Sequence, residues 1–214
     1  MYEEAPAALP QTQPHTSQPP AGTEPTERVS RAWTARFSLV WLGFWAAQFV
    51  PIQLTLPDEL ERMDPTHKIR DFGVITGAAA LISLLTLPLC GALCDRTRSR
   101  WGRRRVWMAA GAAVTAVGLV LAGLQTTPIG LCLAWLWGTV GLGAATAGLT
   151  ATVADQVPER QRGMISGAMY APQAVGIVAG IAAVGAFGLN TAETYRMLAA
   201  ACPKPDPARR TRAS

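Results

Sequence analysis

Charged residues are absent from more than half of this sequence. Five stretches contain no Asp, Glu, Lys, Arg or His: residues 37–56, 72–94, 106–124, 129–153 and 164–189. Because the helices of a soluble domain must present a polar face, this segregation excludes a soluble domain. Each stretch meets or nearly meets the roughly 20 apolar residues that a bilayer-crossing helix needs. The short alternating segments of a membrane β-barrel are also lacking. We therefore predict an all-α membrane protein with five transmembrane helices near these positions.

The missing carboxylates and histidines exclude most chemistry inside the membrane. An intramembrane enzyme needs a base beside its nucleophile, and the five stretches offer Ser, Thr, Tyr and Cys without one. Cys90 and Cys94 lie one helical turn apart, a spacing that permits joint metal ligation. With no His or carboxylate beside them, we interpret both as small buried hydrophobic residues. No catalytic residue, metal or cofactor is expected.

The distribution of arginine predicts the orientation of the helices. Eleven arginines fall in the N-terminal segment, the second connection and the fourth connection, whereas the first and third connections hold only Arg62, Lys68 and Arg70. Positive residues concentrate on the cytoplasmic side. We expect a multi-pass plasma membrane protein with a cytoplasmic N-terminus, in contact with the lipid bilayer. A nucleic-acid partner would need a basic face on a folded soluble domain, so none is expected.

The two ends of the chain differ from the apolar centre. Residues 1–36 are rich in Pro, Thr, Gln and Glu and lack the apolar region of a signal peptide, which predicts a disordered cytoplasmic tail. Residues 37–201 form the predicted bundle. A sixth helix starts near Tyr195 but meets prolines directly after Cys202, so we expect it to be incomplete. Residues 202–214 then form a disordered C-terminal tail.

The connection at residues 91–105, GALCDRTRSRWGRRR, carries the most specific pattern of the chain. It resembles the GxLxDRxGRR signature of the major facilitator superfamily, found between the second and third helices on the cytoplasmic side. Residues 97–101 depart from the plain form and look like the variant of the glycoside, pentoside and hexuronide carriers and of the sucrose transporters. A second segment, residues 154–167, resembles the family's connection between helices four and five. The matching positions are Gly91, Leu93, Asp95, Arg96, Gly102, Arg103 and Arg104.

The resemblance implies a role in gating for this connection. Gly91 would let a neighbouring helix approach closely. Asp95 at a helix end needs a partner beside the lipid interface, and Arg104, Arg105 and Asp155 are suited to an ion-pair network with it. In the superfamily such a network holds the two halves together and yields as they rock. By resemblance, Asp95, Arg96 and Arg104 are the gating residues. The alternative is that the arginines only set topology, which we favour for Arg98 and Arg100.

Polar side chains within the spans are candidates for a solute pathway. Amides and aromatic faces suit a neutral polyhydroxylated solute such as a sugar, and the candidates are Gln48, Gln53, Trp135 and Gln173. Thr76, Thr146 and Thr150 are better explained by hydrogen bonds to their own helices. Pro51, Pro88 and Pro172 can kink their helices. Two pairs, Gly73/Gly77 and Gly176/Gly180, have the spacing of close helix packing.

These observations predict a major facilitator transporter for a small polar solute, present as a truncated N-terminal half. Such transporters are built from two six-helix halves around a central site, whereas five helices and the start of a sixth are visible here. We therefore expect that the chain does not transport alone. The alternative is a membrane interaction subunit that assembles with a complementary C-terminal half.

Overall fold

The protein is described by a computed structural model that covers residues 28–97 and 103–201. Every regular element in those ranges is helical. The elements are α1 (Arg31–Val50), a π-helical segment (Pro51–Thr55), α2 (Leu56–Met63), α3 (Lys68–Arg96), α4 (Arg103–Ala122), α5 (Pro128–Gln156), α6 (Glu159–Phe187) and α7 (Thr191–Ala201). Five helices are long and apolar enough to cross a membrane, with α1 through α2 forming one of them. The all-α fold with five candidate spans is thus confirmed, while residues 1–27 and 202–214, predicted as tails, lie outside the described residues.

The first helix is longer at both ends than its charge-free stretch. It begins at Arg31 because Ser30 caps it, with the Ser30 hydroxyl accepting a hydrogen bond from the Trp33 amide at 3.2 Å. Residues 31–36, which the composition placed in the tail, are therefore helical. At the other end the helix passes through the π-helical segment, where the Leu56 amide bonds to the Pro51 carbonyl, and continues to Met63. Its last turns carry Asp58 and Glu59.

The helices pack in two groups, and α7 contacts both. Helix α5 packs on α4 and α3, α1 packs on α6, and the short α7 packs on α4 and α1. We call the end that holds the start of α4 and the end of α5 the arginine end, and the end that holds the α2–α3 loop the opposite end. Tyr195 and Leu198 of α7 are fully buried in the core. The sixth helix begins at Thr191, slightly earlier than the sequence suggested.

Small residues allow the closest approach between helices. A Cβ on Gly141 of α5 would lie 2.5 Å from the Thr115 amide nitrogen of α4, and one on Gly118 of α4 would lie 2.6 Å from the Gly138 Cα of α5. The predicted close packing at Gly176 and Gly180 is confirmed, because a Cβ at Gly176 would meet the Leu42 carbonyl of α1 at 3.0 Å.

The glycines of α3 make no such close contact with another described helix. Gly73, Gly77 and Gly91 have no described atom within 4 Å of an added Cβ. The reason is that α3 contacts α5 along one side only, so its other side carries exposed leucines such as Leu84, which is 71% exposed. Within the described residues, Gly91 therefore does not admit a neighbouring helix.

Candidate functional site

An ion pair joins α4 to α5 at the arginine end. The Arg104 guanidinium contacts the Asp155 carboxylate, and the Arg104 side chain is only 14% exposed. The Nε and Nη1 atoms of Arg104 are buried and have no hydrogen-bond partner among the described residues. The Asp155 carboxylate therefore balances the charge of an Arg104 guanidinium that is largely removed from solvent. This pair was among those expected for the cytoplasmic network.

The other described signature residues lie at the adjoining ends of α3 and α4. Asp95 and Arg96 end α3 and are exposed, and Arg105 is exposed on the first turn of α4. Gly102 and the Arg103 side chain lie outside the described residues. The helix ends are also tied together, because the Trp107 indole N–H donates to Thr97 Oγ1 at 2.9 Å. The arrangement links the end of α3, the start of α4 and the end of α5, which is where a hinge or latch between helices could act.

The predicted pathway residues occupy different environments. Gln48 of α1 and Gln173 of α6 are half-buried, Gln53 is exposed in the π-helical segment, and Trp135 lies in the core with 2% exposure. No hydrogen bond or ring contact between described residues joins any two of the four. Trp135 packs among residues of α1, α3 and α4. The structure thus leaves Gln48 and Gln173 beside open surface and places Trp135 in the interior.

An aromatic series runs along α1 and reaches α6. Stacked and edge-on ring contacts follow one another from Trp33 to Phe49, and the Trp45 ring contacts the Tyr170 ring of α6 at a centroid distance of 5.9 Å. Tyr170 is 59% exposed. Gln48 and Gln173 each lie three residues beyond this ring pair, so each is on the same face of its helix one turn along. We call Trp45, Gln48, Tyr170 and Gln173 the α1–α6 surface.

The chemistry of the α1–α6 surface suits a neutral polar ligand. The Gln48 and Gln173 amides make no hydrogen bond to the described residues, so both can donate and accept. The ring pair offers an apolar face next to them. Thr76, Thr146 and Thr150, by contrast, donate to carbonyls of their own helices at 2.7–2.9 Å. The interpretation of these threonines as satisfied structural residues is confirmed.

A polar cluster at the opposite end was not predicted from the sequence. Thr191 Oγ1 of α7 donates to Asp58 Oδ2 at 2.9 Å, and Arg62 both donates to Thr191 and pairs with Asp58 at 2.8 Å. Glu193 and Asn190 exchange backbone-to-side-chain hydrogen bonds at the start of α7, which is the reciprocal pattern of a capping box. The Asn-x-x-Glu spacing could have revealed the cap, but nothing in the sequence links α7 to α2.

The α2–α3 loop at the same end is organised by Asp64. The side chain and backbone of His67 donate hydrogen bonds to its carboxylate at 2.9 and 3.1 Å, and the Thr66 amide adds a third. Hydrogen bonds from His67 lower the pKa of Asp64 below its ordinary value of 3.8. No group of three or more potential metal ligands occurs among the described residues.

The helices and their connections define the class of protein. Five membrane-length helices, a basic connection between the second and third, and polar groups at mid-helix together describe a multi-pass membrane protein. The sequence profile of the Major Facilitator Superfamily matches residues 37–201. The chain belongs to this superfamily of membrane transporters. Neither a curated protein nor a solved structure matches the chain.

Proposed function

We propose that this chain forms the N-terminal half-bundle, with five spanning helices and the start of a sixth, of a plasma membrane transporter for a small neutral polar solute such as a sugar. The observation that supports the solute class is the α1–α6 surface, where two amides with no hydrogen-bond partner among the described residues lie one turn from an open aromatic pair. Hydroxyl groups of a sugar are both donors and acceptors, and its ring has an apolar face, so each element of the surface has a counterpart. Gln53 and Trp135 remain further candidates on the pathway.

The arginine end supports a gating role for the signature. Arg104 and Asp155 join α4 to α5, and Asp95 and Arg96 end the neighbouring helix α3. We assign the gate to Asp95, Arg96 and Arg104. The concentration of arginine supports a cytoplasmic location for this end and hence for the N-terminus.

The open side of α3 supports a partner in the membrane. Gly73, Gly77 and Gly91 leave room for the backbone of another helix, and the leucines around them are exposed. We propose that this side receives helices of a complementary C-terminal half. The residues described here would then hold one wall of the solute pathway and need the second half for transport.

A binding assay tests the solute class. Purified chain in detergent should bind a labelled neutral sugar, and Gln173→Ala should weaken that binding by about tenfold if two amide hydrogen bonds are lost. Ser166→Ala is the matched control, because Ser166 is exposed on the same helix and makes no hydrogen bond to the described residues. Equal binding by both variants would contradict the proposed site.

An uptake assay tests the need for a second half. Vesicles that contain only residues 1–214 should take up labelled sugar no faster than empty vesicles. Uptake above that level would overturn the proposal that a complementary half is required.

The alternative function, a membrane interaction subunit, is distinguished by crosslinking. A photoreactive group placed at Leu84, on the open side of α3, should crosslink to a second major facilitator chain in the membrane. A stoichiometric adduct without sugar binding supports the interaction subunit, whereas sugar binding by the chain supports the transporter half.

A further inference from the structure

Pro172 leaves one backbone carbonyl of α6 without its helical partner. In an α-helix the carbonyl of residue 168 accepts a hydrogen bond from the amide of residue 172. Residue 172 is proline, which has no N–H, and Pro172 lies inside α6. The Ala168 carbonyl therefore needs a donor from elsewhere, since an unsatisfied carbonyl within a membrane-spanning helix is costly.

Helix α1 supplies that donor. The Ser38 hydroxyl donates to the Ala168 carbonyl at 3.1 Å. The next carbonyl, that of Met169, accepts a hydrogen bond from the Trp45 indole N–H at 2.8 Å. Two donors separated by two turns of α1 thus reach two consecutive carbonyls in the turn that precedes Pro172.

A second proline inside a long helix, Pro88 of α3, shows that such partners are not automatic. Pro88 lies inside α3, so the Leu84 carbonyl likewise loses its helical donor. No side chain of the described residues donates to Leu84, and its own side chain is on the open face of α3. The side-chain donors at Pro172 are therefore a property of the α1–α6 contact and not of prolines in general.

We propose that Ser38 is a positioning residue that replaces the hydrogen bond removed by Pro172, and that Trp45 adds a second hydrogen bond at the next carbonyl, so that the two side chains fasten the Pro172 segment of α6 to α1. The two helices lie close together here, because Gly176 has no side chain and allows the α6 backbone to lie against the Leu42 carbonyl of α1 one turn beyond Pro172. Helices α1 and α6 then move as one unit. If Gln173 lines the solute pathway, as proposed above, the same two bonds set its position.

A double-mutant cycle tests this clamp without any transport assay. Ser38→Ala should lower the equilibrium constant for folding of the full chain in mixed micelles by about fivefold, as expected for one lost hydrogen bond to a half-buried carbonyl. In a Pro172→Ala background the new amide can bond to the Ala168 carbonyl, so Ser38→Ala should change the constant less than twofold. Equal effects of Ser38→Ala in both backgrounds would overturn the proposal.

Matched variants separate the clamp from general packing. In a Pro88→Ala background, Ser38→Ala should keep its full fivefold effect, because Pro88 has no contact with Ser38. Ser38→Thr keeps the hydroxyl and should restore most of the folding constant. Loss of the Ser38→Ala effect in the Pro88→Ala background, or failure of Ser38→Thr to rescue, would show that the effect comes from general helix stability.

A second readout follows the position of Gln173. A spin label or fluorine probe at residue 173 should become more mobile in Ser38→Ala and return to its original mobility in Ser38→Ala combined with Pro172→Ala. A probe at residue 178, on the exposed side of α6, should respond to neither. If the folding cycle succeeds but sugar binding fails, the clamp stands and the proposed solute site does not.

Discussion

Asp155 is the residue whose replacement most directly tests the ion pair at the arginine end. Asp155→Asn keeps the shape but removes the charge that faces the largely buried Arg104. We expect the free energy of unfolding to fall by about 1–3 kcal/mol, less than for a fully buried pair because half of the Asp155 side chain is exposed. Thermal or denaturant unfolding in detergent measures the change.

Glu159 provides the comparison for that experiment. It pairs with Arg162 at 3.4 Å, and neither side chain is buried: that of Glu159 is 66% exposed and that of Arg162 is 41% exposed. Glu159→Gln should therefore change the free energy of unfolding by less than about 0.5 kcal/mol. If Asp155→Asn and Glu159→Gln lowered the free energy of unfolding equally, the Arg104–Asp155 pair would stabilise the fold no more than an exposed pair.

The lowered pKa of Asp64 predicts that the stability of the α2–α3 loop depends on pH. Because His67 lowers the pKa of Asp64 in the folded chain, the stabilisation is fully present above the ordinary value of 3.8 and is lost as the pH falls through the lowered pKa. Exchange of the Thr66 and His67 amide hydrogens, which bond to Asp64, should accelerate in acid beyond its intrinsic dependence. Asp64→Asn should abolish this acceleration, whereas Asp71→Asn, whose carboxylate has no hydrogen bond to the described residues, should retain it.

At the scale of elements, the α4–α5 contact depends on missing side chains. Gly141→Ala would force a Cβ against the Thr115 amide and the Gly111 carbonyl, which belong to the backbone and cannot rotate away. We expect a loss of more than about 2 kcal/mol of unfolding free energy. Gly77→Ala adds the same methyl group where the chain leaves open space, and it should be neutral or slightly stabilising. Equal losses in unfolding experiments would contradict the glycine contact.

The elements also show what the sequence could reveal. Charge-free length located five helices, and the GALCDR segment identified the family, because both signals are local. The extension of the first helix to Arg31 and Met63 was missed because charged residues at helix ends do not stop a helix. Pro172 marks the Ala168 carbonyl as needing a donor, but Ser38 lies 130 residues away and only the folded chain brings it there. The open side of α3 was missed for the same reason, since glycine spacing does not say whether a partner is present.

At the scale of the whole molecule, the orientation can be tested directly. With native cysteines replaced, Thr126→Cys in the third connection should react with a membrane-impermeant maleimide added to intact cells. Ala154→Cys, exposed at the arginine end, should react only after the membrane is permeabilised. The reverse pattern would invert the proposed topology.

The π-helical segment changes the direction in which the side chains after it point. One residue more than an α-helical turn is accommodated between Pro51 and Thr55, so every later residue is rotated by about 100° relative to an uninterrupted α-helix. That rotation lets α1 present Ser38 and Trp45 to α6 while α2 presents Asp58 and Arg62 to Thr191 of α7. Deleting one residue from the segment would leave the first set of contacts aligned and turn the second away. The contact face of α1 is therefore directed at α6, and that of α2 is directed at α7.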